Sequence, residues 1–107
     1  MASTFLNSSV VVGTTLTDLY TVPALTKTVS YGLTITNNNA TTTRTISVYV
    51  YDNSAVATRT IVKNLGIPFG DTYIHEAKIN LDSADKLQVI VDAGTDCDAF
   101  VSLLEVA

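Results

Sequence analysis

At 107 residues the chain is long enough for one domain with its own core and too short for two ordinary ones. Apolar residues make up 47%, which excludes a disordered tail, while charged residues make up only 15%, below the usual share of about 25%. The formal net charge is −4, and Lys27, Arg44, Arg59, Lys63, Lys78 and Lys86 build no basic run, which argues against nucleic acid as a partner.

In chain order, the start Met1-Ala-Ser-Thr-Phe-Leu has neither the charged nor the apolar region of a secretory leader. The chain is therefore expected to be made and kept in a cytoplasm unless it leaves inside a larger assembly. Residues 1–9 are read as an extended N-terminal arm whose apolar pair, Phe5 and Leu6, either folds back or inserts into a neighbour. Ser9 to Val12 and Leu19 to Val22 read as short strands, stopped by Gly13 and Pro23. Thr28 to Thr36 alternates with a period of two, Val29, Tyr31, Leu33 and Ile35 sharing one face. Thr43 to Tyr51 alternates again, with Ile46, Val48 and Val50 opposite Tyr49 and Tyr51. The Asn37-Asn38-Asn39 run between them tolerates left-handed conformations, so the two strands are expected to form a hairpin.

Further strands are expected over 58–65, 73–81, 86–91 and 99–106, separated by turn residues at 52–54, 66–71, 82–85 and 93–95. No segment carries a helical period, and no apolar run approaches the roughly 20 residues of a membrane span. The whole chain, 1–107, is expected to be a single antiparallel β-sandwich, jelly-roll-like, of about seven to eight strands. A small closed barrel is the alternative.

The chemistry on offer is sparse. No Ser sits in a nucleophile elbow, and one His and one Cys do not make a zinc site. No catalytic residue, metal or cofactor is assigned, and the chain is not expected to be an enzyme. Cys97 reads as a buried small hydrophobe, its thiol pKa raised by Asp96 and Asp98. Asp92, Asp96 and Asp98 could gather a cation, but their spacing lacks the pattern of a calcium loop and favours a solvated turn. His75 reads as a partly exposed strand residue. Tyr49 and Tyr51 point away from the aliphatic face, as paired rings within the sheet or as a contact patch. The candidate interface residues are therefore Phe5, Leu6, Tyr49 and Tyr51.

The run Leu-Tyr-Thr-Val-Pro-Ala at Leu19 to Ala24, leading into a strand that ends in Thr-Ile-Thr-Asn at Asn37, resembles small tailed-bacteriophage virion proteins. This chain departs at Leu25, where Gly commonly follows the Pro-Ala pair, and a different turn is expected there. The resemblance implies a capsid decoration (cement) protein in the virion, a homo-oligomer, trimer or dimer, whose partner is the major capsid protein or another virion protein. A tail, adaptor or fibre component is the alternative. A carbohydrate-binding β-sandwich using Tyr49, Tyr51 and Tyr73 is the second.

Overall fold

The computed structural model describes residues 3–107. Nine strands and no helix occur among the described residues. They are β1 (Ser3–Val11), β2 (Thr17–Thr21), β3 (Lys27–Asn37), β4 (Arg44–Asp52), β5 (Ala57–Ile67), β6 (Thr72–His75), β7 (Ile79–Leu81), β8 (Lys86–Val91) and β9 (Cys97–Val106). One sheet runs β1-β9-β3-β6, with β7 also paired to β3; the other runs β2-β8-β4-β5. All pairings are antiparallel. Consecutive strands alternate between sheets at one connection after another, the winding of a jelly roll. The expected all-β sandwich is the architecture found.

Alternation builds the core. Leu33, Ile35, Val101 and Leu103 of the five-stranded sheet face Ile46, Val48, Leu87 and Val89 of the other, and all eight are fully buried. Each such aliphatic side chain contributes about 1.5–3 kcal/mol by leaving water. Ser8 Oγ donates to the Leu19 carbonyl at 2.6 Å, tying β1 to β2 where the sheets meet at one edge.

The hairpin expected between β3 and β4 is absent. β3 pairs with β9, β6 and β7, whereas β4 pairs with β8 and β5 in the opposite sheet. Each strand has one apolar face, and those faces are buried by meeting across the sandwich rather than by lying side by side. Asn37 directs the crossover. Fully buried, its amide donates to the carbonyls of Thr42 and Ile67, both at 2.9 Å, and its Oδ1 accepts from Asn39 N at 2.9 Å.

The shared face expected for Val29, Tyr31, Leu33 and Ile35 is broken by a β-bulge. The register against β9 shifts between Ser30 and Gly32, leaving Tyr31 as the extra residue. Thr28, Ser30, Leu33 and Ile35 are buried, while Tyr31 is exposed. The segment expected as one strand over 73–81 is two, β6 and β7, both on β3. From Ser3 onward the residues read as an arm lie in the sheet, β1 pairing with β9 from Ser3 opposite Val106 to Val11 opposite Asp98. Met1 and Ala2 fall outside the described residues. Leu25 has φ of 57°, the left-handed conformation that Gly adopts most easily, so the chain there bends as a Gly would allow despite the larger side chain.

Candidate interaction surfaces

Pairing register sets side chains in rows on the outer face of the five-stranded sheet. One row is Ser9, Phe100, Thr34 and Ile74; the next is Asn7, Ser102 and Gly32; the third is Phe5, Leu104, Val29 and Asn80. None of these residues is charged. Phe5 is 77% exposed, Ile74 59% and Phe100 43%. The Phe5 ring lies 6.0 Å from that of the bulged Tyr31, over which Lys78 Nζ stands 5.9 Å from the ring centre. The rims differ in charge: Asp98 lies beyond the first row, and Lys27, paired with Asp82 at 2.8 Å, beyond the third. Two shallow hollows mark the two ends of this face, one of about 450 Å³ beside Val11 and Phe100, the other of about 360 Å³ beside Val29, Leu104 and Val106. Rows without a charged residue, bearing exposed rings with Lys78 standing over Tyr31, are the kind of surface that marks a contact site.

Polar side chains on the outer face of the four-stranded sheet bind one another, while Gln88 Oε1 is buried without a partner. Lys63 Nζ donates to the Tyr49 hydroxyl at 3.2 Å and lies 5.7 Å from its ring centre. Those contacts, with a smaller share from Ser47, hold the Tyr49 hydroxyl pKa below its ordinary value. Gln88 Nε2 donates to Asp18 Oδ1 at 2.9 Å, and Lys86 approaches the same carboxylate at 3.6 Å.

The four residues singled out from sequence therefore do not form one patch. Phe5 is on the outer face of the five-stranded sheet. Leu6 points inward and packs, half-buried, against the core. Tyr49 and Tyr51 lie on the other sheet's outer face, where Tyr49 is already engaged. Tyr73 is half-buried and packs against the core from β6, its hydroxyl 2.9 Å from His75 Nδ1, so it shares no platform with Tyr49 and Tyr51. Sequence reading missed Phe100, Ile74 and Tyr31. Phe100 left a signal, as an aromatic residue at an outward position between Asp98 and Ser102.

The two ends of the sandwich are also unlike. At one, Arg44 Nε and Nη2 donate to the two oxygens of Asp96 at 3.0 and 3.1 Å, and Asn39 Nδ2 adds a third bond at 2.7 Å. These contacts pull the Asp96 carboxyl down to about 2. Asp98 accepts from Asn38 Nδ2 at 2.8 Å and Asp92 from Thr45 N at 3.0 Å. The acidic turn is thus a set of carboxylates each held by its own protein donor. Burial first, and Asp96 second, push the neighbouring Cys97 thiol up.

At the other end the loops 22–26, 53–56 and 82–85 are bound together around Asp85, which is buried and accepts from Asn53 N and Asp82 N, both at 2.9 Å. Val22 N donates to the Asp85 carbonyl at 2.9 Å, and Thr26 N to Ser83 Oγ at 3.0 Å. Beneath them the Tyr20 hydroxyl donates to Glu105 and also bonds Thr28 Oγ1 at 2.9 Å. Burial, then Glu105, push the Tyr20 pKa up to about 12. From these loops project Leu25, 92% exposed at φ 57°, and Val56, 77% exposed at φ 51°. A left-handed backbone at a branched or bulky residue is disfavoured, and such outliers gather at functional positions.

The two-sheet winding defines the chain as a jelly-roll sandwich, and solved structures share that fold. One is a chain of an infectious bursal disease virus particle: TM-score 0.60, 12% identity, 96% of this chain and 30% of that chain covered. A second comes from the acid-stable capsid of Helicobacter pylori bacteriophage KHP30: TM-score 0.59, 15% identity, 100% and 94% covered. A third is a subunit of disulfide-linked pili on Bacillus endospores: TM-score 0.59, 8% identity, 99% and 87% covered. The chain thus spans under a third of the bursal disease virus chain and nearly all of the KHP30 chain. No protein-family description and no curated protein sequence matches it.

Proposed function

We propose that this is a bacteriophage virion structural protein, a capsid decoration protein that cements the head lattice by protein–protein contact and not by catalysis. The observation that carries the reading is the rigid end bearing Leu25 and Val56. Two large aliphatic side chains are held out in water, on backbone that would relax if they were Gly, by loops locked around a buried carboxylate. Preorganised apolar anchors lose little entropy on docking and are what a stabilising contact with a neighbouring subunit needs. The likeness to a KHP30 capsid chain, which leaves almost nothing of either chain over, supports a virion setting. Its partner is the major capsid protein.

The test compares purified heads with and without the protein. Heads carrying it in stoichiometric copies should survive osmotic and thermal stress that empties bare heads, and Leu25→Asn should remove the protection. Equal survival of both kinds of head would overturn the cement reading. A few copies confined to a vertex or tail would replace it with a tail or fibre role.

A further inference from the structure

We infer that the outer face of the five-stranded sheet is self-complementary and pairs with the same face of a second copy, about a two-fold axis lying along the Asn7–Ser102–Gly32 row. Strand register sets the pairing. Such an axis keeps the strand order and reverses the strand direction, so β1 lies on its partner β1 and β9 on its partner β9, antiparallel. The row above the axis then lies on the row below. Phe5 falls over Ser9, Phe100 over Leu104, Thr34 over Val29, and Ile74 over Asn80. At β1 and at Ile74 the bulkier side chain meets a smaller polar one, and Phe100 meets the half-buried Leu104. The central row is small enough for the rings on either side to nest. The Phe5 and Phe100 rings each lie towards the hollow at the opposite end of the partner's face.

Charge favours the same arrangement. Reversal sets the rim bearing Asp98 against the rim bearing the exposed Lys27–Asp82 ion pair, 2.8 Å apart, whereas stacking without reversal would set Asp98 on Asp98. The opposite sheet's outer face carries charged side chains of its own, Lys63, Lys86 and Asp18, which pairing there would have to desolvate.

The area bounds the strength. Four strands about 4.8 Å apart, over the roughly 27 Å from Asp98 to Val106, give a footprint of about 500 Å² per copy. A stable dimer buries about 800 Å² per partner. Pairing is therefore weak in dilute solution. Where it rests on the proposed capsid role, it acquires a purpose: reversal puts the Leu25–Val56 ends at opposite extremes of the pair. Such a strut can engage two lattice subunits at once and gain affinity by avidity.

The experiment uses the isolated full chain. Cys97 is fully buried, so Ser102→Cys introduces the one accessible thiol, placed at the axis facing its own copy across sheets about 10 Å apart. A bis-maleimide of matching reach, at high protein concentration, should give dimers and nothing larger. Gln88→Cys, on the opposite face, should stay monomeric. Adding Ser9→Arg, an exposed position under the partner's Phe5, should abolish the dimer with the circular dichroism spectrum unchanged; Phe5→Asp provides a second disruption. Monomer from Ser102→Cys, or equal cross-linking from Gln88→Cys, would overturn the pairing. Neither result touches the head-protection test, which reads Leu25, so the two proposals fail separately.

Discussion

The two ends of this sandwich solve the same backbone problem with opposite residue choices. In the loops of the Arg44–Asp96 end the left-handed positions are Gly70 and Gly94, with Asn64 at φ 50° in the β5 bulge, and every carboxylate of the turn has a donor. At the far end the left-handed positions are Leu25, Val56 and Ala84, and the two larger side chains have no cover. The first end obeys local rules and is built for stability. The second breaks them twice, which is expected where a side chain is kept for something outside its own fold.

The sharpest challenge to this contrast is Asn37→Ala. It strands the buried carbonyl of Ile67, removes the bond to Thr42, and should cost about 2–4 kcal/mol in urea unfolding. The loss should appear at one midpoint by tyrosine fluorescence and circular dichroism, because the crossover joins both sheets. Two separate midpoints would break the picture of a single scaffold. Next is Gly94→Ala. A Cβ there would stand 3.0 Å from Arg44 Nη2 and 3.1 Å from Asp96 Oδ1, on backbone at φ 78°. We expect a loss of about 1–3 kcal/mol by the same measurement.

Acid should weaken the polar end. The Asp96 carboxyl is depressed in the folded state, so its contribution is complete above the ordinary carboxylate pKa of about 4 and is lost as pH falls through about 2. The melting temperature should drop between those limits, and Asp96→Asn should flatten that part of the profile while lowering its upper plateau. The smallest effect has the opposite sign. Leu25→Gly should raise stability by about 0.5–1 kcal/mol, since Gly fits the left-handed position and the lost side chain was in solvent. A destabilised Leu25→Gly protein would mean that Leu25 serves its own fold, and the contrast between the ends would fall.

Much of the architecture was readable before any coordinates. Ile46, Val48 and Val50 face the core and Tyr49 and Tyr51 face away, because strict alternation leaves a half-buried strand no other choice. Cys97 is buried, as a lone Cys read as a small hydrophobe should be, although Asp96 and Asp98 flank it. The failures share one cause. The hairpin of β3 with β4 was inferred from neighbourhood along the chain, but Asn37 uses its side chain to bind segments on both sides of a crossover. The Tyr31 bulge inverts the faces of the first part of β3, and a period-two pattern shows no gap where one residue is skipped. Phe5 and Tyr49, alike as exposed-looking aromatics, proved to stand on separate sheets.

What the amino-acid order alone determined is the all-β class, most of the strand segments and, within each unbroken run, which side chains alternate to an apolar face, since these depend on local period and side-chain type. Which strands lie together, which outer face has rows free of charged residues, and that Leu25 and Val56 share one end were decided by tertiary packing. Strand partners are chosen by burying apolar faces across the sandwich, a long-range balance to which nearest neighbours in the chain contribute little.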